Sequence, residues 1–101
     1  MLTATLTIPE ALQVIVYLDT MQANEEDPLH SLGETIEEAL RQAGLGDDAI
    51  FDVESDQDME DKALEKLVGQ IEIQEGAEPE AGSVTFTITD REEDALLAVA
   101  I

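Results

Sequence analysis

No cysteine occurs among the 101 residues, which excludes a disulfide framework, a zinc-ribbon spacing and a thiol nucleophile, and leaves stability to packing. A reducing cytoplasm is the expected compartment. No apolar run approaches the roughly 18 residues of a membrane span. Residues 1–8 alternate Thr with aliphatic side chains where a signal peptide would carry a basic stretch and an apolar block. Neither an anchor nor a leader is expected. Bases are almost as scarce as cysteine: only Arg41, Lys62, Lys66 and Arg91 stand against 25 Asp and Glu, giving a formal net charge of −21. Such a chain repels phosphate, so direct binding to DNA, RNA or an anionic membrane is not expected. A net charge of magnitude about 2–8 normally keeps a small domain in solution, so the excess calls for another explanation.

What is present suffices for one core. With 44% apolar residues at this length, a single acidic domain over 1–101 is expected. Leu2, Ala4, Leu6 and Ile8 alternate with Thr3, Thr5 and Thr7, the pattern of a half-buried strand. Pro9 suits a first helical turn, and Leu12, Ile15, Val16 and Met21 recur at helical spacing, predicting a helix over 9–22. Residues 13–18 also hold the Val, Ile and Tyr of a buried strand. After the acidic linker 24–27, two helix starts overlap: Asp27 before Pro28, and a capping box of Ser31 with Glu34. Leu32, Ile36, Ala39, Leu40 and Ala43 form the apolar stripe of that helix, and Gly44 stops it.

Beyond the turn at 46–48, residues 49–54 read as a short strand with Phe51 and Val53 on one side. Asp58 with Asp61 opens a third helix carrying Met59, Ala63, Leu64, Leu67 and Val68, ended by Gly69. Ile71 and Ile73, then Val84, Phe86 and Ile88, alternate with polar residues, and the loop 76–82 joins them into an expected hairpin. The apolar tail 95–101 reads as a last strand completing a meander, although Thr89 with Glu92 also spells a capping box. The Thr-alternating segments 3–8 and 84–89 are explained by shared strand chemistry without an internal repeat. The expected fold is α+β: about three helices packed on a small, mainly antiparallel sheet of four to five strands. Its core is expected to hold Leu6, Ile8, Leu12, Ile15, Leu32, Ile36, Leu40, Leu64, Leu67, Val84, Phe86 and Ile88.

Catalytic chemistry finds little support. The single histidine, His30, adjoins Ser31, and neighbours on a helix do not face one another, so no nucleophile and base pair forms there. No phosphate cradle is present, and a chain this short seldom wraps a sugar cleft around paired carboxylates. No catalytic residue, cofactor or specific metal site is assigned. An EF-hand frame starting at Glu54 would use Asp56, Asp58, Glu60 and Glu65, but Met59 stands where the sharp-turn glycine belongs.

The acids themselves carry the functional expectation. Eight lie between Asp47 and Asp61 with no base among them. In an extended backbone, carboxylates two residues apart sit roughly 6.7 Å from one another on one face. Asp52, Glu54, Asp56, Asp58, Glu60 and Asp61 are thus the expected partner-binding residues, a row of charge that imitates a nucleic acid toward a basic groove. The expected function is a non-enzymatic binding protein that inhibits a basic nucleic-acid-binding protein such as a phage-defence nuclease. Two alternatives are a halophilic domain whose acidity answers to salt, and an acidic adaptor or immunity-type protein that neutralises one basic partner. A homodimer is also expected if the apolar tail forms an edge strand, against the repulsion between two such chains.

Overall fold

The computed structural model describes residues 1–21 and 24–100. Its elements run β1 (Leu2–Thr7), α1 (Ile8–Thr20), α2 (Pro28–Gln42), α3 (Asp47–Phe51), α4 (Gln57–Ile73), β2 (Ser83–Ile88) and α5 (Asp90–Ala100). The chain is α+β, but five helices and one two-stranded antiparallel sheet replace the expected three helices on four or five strands. Positions 22 and 101, the ends of two expected elements, lie outside the described residues.

β1 and β2 pair across almost the whole chain, with Leu2 opposite Ile88, Ala4 opposite Phe86 and Leu6 opposite Val84. These six side chains are buried on one face, a small residue meeting a large one at the centre of the pair. Helix α2 lies against β2 and α5, α4 lies against β1, and α1 packs between α2 and α4. Leu32, Ile36 and Leu40 of α2, Val14 of α1, Leu67 of α4 and Leu96 of α5 close the core without exposure. Of the expected core, Ile8, Leu12 and Leu64 only lean on it half-buried, and the rest are buried.

Each strand passes directly into a helix through the same device. Thr7 caps α1 through its hydroxyl, which accepts from the Glu10 N–H at 3.3 Å, while the Glu10 carboxylate accepts from the Thr7 N–H at 2.9 Å. Thr89 and Glu92 repeat the box at the head of α5, at 3.3 and 2.8 Å. In each box the glutamate takes a further donor from a neighbouring helix: the Lys66 Nζ of α4 lies 3.0 Å from Glu10, and the Ser31 hydroxyl of α2 donates to Glu92 at 2.5 Å. Burial works to raise the Glu10 carboxyl, but the Thr7 and Lys66 hydrogen bonds outweigh it and hold the group below its ordinary range.

That second box corrects the expected C-terminal strand, since residues 90–100 are helix. A short apolar run fits either element, and the reciprocal cap decides it. The hairpin built on residues 71–74 is also absent, because α4 continues through Gly69 to Ile73. Ile71 is 3% exposed and Ile73 68%, a contrast that residues two apart show on a helix and not on one face of a strand. Tertiary burial of Gln70 and Ile71 overrides the weak helix propensity of Gly69. Residues 49–54 form no strand either: Asp47 and Asp48 occupy the first turn of α3, and Ile50 is the side chain it buries. Ser31 caps nothing, because Asp27 supplies the α2 cap to the Leu29 N–H at 2.9 Å. Gly44 does terminate that helix, at φ 101°, while the Leu45 N–H returns to the Leu40 carbonyl at 3.1 Å.

The outer edge of β1 is covered without a third strand. The Gln70 side chain accepts from the Thr5 N–H at 2.9 Å and donates to the Thr5 carbonyl at 2.8 Å, as a neighbouring backbone would. Its oxygen also accepts from the Ala77 N–H at 3.0 Å, which draws the α4–β2 connection alongside. Gly76 runs so close there that a Cβ would stand 2.2 Å from the Thr3 carbonyl oxygen.

Candidate functional site

The acid-rich segment has a framework that its sequence did not announce. Gln13 is buried on α1, its amide nitrogen donating to the Glu54 carbonyl at 3.0 Å and its oxygen accepting from the Asp56 N–H at 3.1 Å. One glutamine thus fixes the irregular chain between α3 and α4. The only sequence signal for it was a lone amide inside the apolar stretch Leu12, Val14 and Ile15.

From there α4 begins, and the acids enter it as helix-starting residues. Asp56 is the N-cap, its carboxylate accepting from the Met59 N–H at 3.2 Å, and Asp58 and Glu60 stand in the first turn, where negative charge favours the helix dipole. Asp61 accepts from the Gln57 amide at 3.0 Å. Asp52, Glu54, Asp56, Asp58 and Asp61 are exposed and Glu60 is half-buried. Among the described residues none of the six carboxylates forms an ion pair; Arg41, the nearest base upstream, engages Asp47 at 2.9 Å. The evenly spaced row of an extended strand is not formed. Asp52 and Glu54 lie in irregular chain, while Asp58 and Asp61 share a face of α4 that Glu60 does not.

The EF-hand frame fails on the same geometry, because Asp58, Glu60 and Glu65 lie on α4 where a calcium loop would have to turn. Among the described residues no group of three or more His, Asp or Glu side chains is arranged to hold a metal ion. His30 makes a helical pair with Glu34 at 2.8 Å. Ser31 is turned away to the Pro28 carbonyl and Glu92, so the two adjacent residues do not work together. No helix among the described residues is long and apolar enough to cross a membrane.

A second acidic feature lies between α1 and α2. Ile15, Leu18 and Leu29 floor an open groove, Asp19, Glu34 and Glu37 rim it, and Phe51 of α3 forms one wall. Burial pushes the Glu37 carboxyl above its ordinary range; Arg41 works against that shift and Glu34 with it. The Phe51 ring is 60% exposed, and the Arg41 guanidinium lies over it at 6.0 Å from the centroid. Comparison with known proteins finds no matching family model, no similar curated protein and no similar solved structure.

Proposed function

We propose that this chain is a non-enzymatic acidic binding protein that imitates the charge of a nucleic acid and thereby occupies a basic nucleic-acid-binding protein, of which a phage-defence nuclease is the type. The observation that carries the reading is the exposed run Asp52, Glu54, Asp56, Asp58 and Asp61, free of ion pairs among the described residues and anchored by Gln13 at its irregular end and by α4 at the other. Charge density on a fixed scaffold, not an even spacing, supports the mimicry. Basic grooves accept such surfaces because the long-range attraction depends on summed charge. A chain without cysteine suits a reducing cytoplasm.

The test is capture of a partner from host lysate at physiological salt, followed by competition with DNA and by the triple change Asp56→Asn, Asp58→Asn and Glu60→Gln. Asn caps a helix about as well as Asp, so the triple variant keeps the start of α4 while losing three charges. Binding that weakens with salt, yields to DNA and is lost in the variant supports the mimic. A captured partner that holds the variant equally well, or that DNA fails to displace, sinks it in favour of an acidic adaptor.

One observation favours the halophilic reading instead: exposed acids such as Glu25, Glu38, Glu65, Glu72, Glu78 and Asp94 are spread over many elements, as a surface adapted to salt would have them. Unfolding at low salt with recovery in molar salt is the result that selects it. The edge-strand argument for a homodimer does not apply, because residues 90–100 form α5.

A further inference from the structure

We infer that the groove between α1 and α2 is a docking slot for an arginine side chain of a basic partner segment. The inference rests on the reading of the chain as a binder of basic protein and gives that binding a second, chemically specific contact. An arginine combines an apolar stem with a planar cation, and the groove offers the matching pair: an aliphatic floor of Ile15, Leu18 and Leu29, and carboxylates of Asp19 and Glu37 at its rim, with Glu34 beside them already paired to His30. Two further observations select a guanidinium. The Phe51 ring stands mostly in solvent and already accepts the chain's own Arg41, so its stacking chemistry suits a planar cation. Glu37 is half-buried and, among the described residues, has no ion-pair partner within 4.0 Å; Arg41 and His30 act on it only from a distance, so an arriving guanidinium would supply the direct contact it lacks.

Access to the slot comes from Gly33, which also lines it. A Cβ at that position would meet nothing nearer than Leu18 Cδ1 at 3.8 Å, so the backbone does not require glycine there. In mid-helix a glycine is unfavourable relative to alanine. Its absent side chain leaves the groove open.

The experiment titrates the isotope-labelled full chain with an alternating arginine–glycine octapeptide at physiological salt, read by amide chemical shifts. The same peptide with citrulline for arginine is the uncharged control. Saturable shifts centred on Leu18, Gly33 and Phe51 are expected, absent with citrulline and retained in the Asp56→Asn, Asp58→Asn, Glu60→Gln chain. Phe51→Ser, at an exposed position, should weaken binding roughly fivefold through loss of the stacking contact. Gly33→Leu should weaken it as well by filling the slot. Unsaturating shifts scattered over the surface, equal binding of the citrulline peptide, or a Phe51→Ser chain that binds like the parent overturns the slot. That failure is separate from failure of the mimic, which is read from the captured partner and the triple variant and does not involve the groove.

Discussion

Replacing Gln70 by Met leaves three backbone groups without the partner that now serves them. The amide accepts from the N–H groups of Thr5 and Ala77 and donates to the Thr5 carbonyl, at 2.9, 3.0 and 2.8 Å. Met fills nearly the same volume with neither donor nor comparable acceptor. Ala77 is half-buried and water can replace its bond, but Thr5 is only 3% exposed, so its two groups face the full cost of burial without a partner. At about 1–3 kcal/mol for each such group, the change should cost about 2–6 kcal/mol. That is a large share of the roughly 5–15 kcal/mol that holds a domain of this size. Urea unfolding at physiological salt should show it as a midpoint lowered by roughly 1–3 M with little change in slope. Gln70→Glu adds a test of sign. At neutral pH its carboxylate can accept both N–H bonds but meets the Thr5 carbonyl without a proton, which raises its folded pKa above the unfolded value. The variant's deficit should shrink as pH falls through that raised value and return as pH rises through it. A Met variant within about 0.5 kcal/mol of the parent would refute the claim that this side chain replaces a neighbouring strand.

Two further outcomes follow from particular residues. Gly69→Ala should stabilise the chain by about 0.5–1 kcal/mol in thermal or urea unfolding, because the position is helical and open; a destabilised variant would mean that the helix stops there. Glu37 and Glu10 should give pH profiles of opposite sign. The raised Glu37 favours the fold only below its folded pKa, so the gain from Glu37→Gln should be present at neutral pH and vanish in acid. The depressed Glu10 favours the fold above its ordinary pKa, so the loss from Glu10→Gln should fade as pH drops through the folded value. Stability curves of the two variants from pH 3 to 8 check both.

The sequence made some of this legible and concealed the rest for physical reasons. Alternation exposed both strands, since Leu2, Ala4 and Leu6 and then Val84, Phe86 and Ile88 do face the core. The stripe of α2 and its Gly44 stop were equally readable, because a cap and a left-handed glycine are local. The partnership of the strands was not local. Residues 71–74 alternate as a strand would, and nothing within them says that Ile71 is anchored in a helix by contacts far along the chain. The box of Thr7 with Glu10 was hidden by Ile8, which extends the strand pattern by one residue although it is the first residue of α1. The acidic segment was found by composition. Its conformation was not, because a buried amide on α1 sets it, and a sequence does not state which backbone a lone glutamine will reach.

The pairing of β1 with β2 also orders events in time. About 75 residues separate the two strands, so the sheet closes a long loop whose entropy is lost before its contacts repay it. At a synthesis rate of roughly 5–20 residues per second, β1 waits about 4–15 s for its partner to be made. During that interval α1 and α2 can already dock, while the apolar side of β1 has only helices to cover it. Mutual repulsion among nascent copies, set by the acids already translated in α2 and α4, keeps one waiting strand from pairing with another. The charge that reads as a binding surface in the finished protein is thus also a guard on the unfinished one.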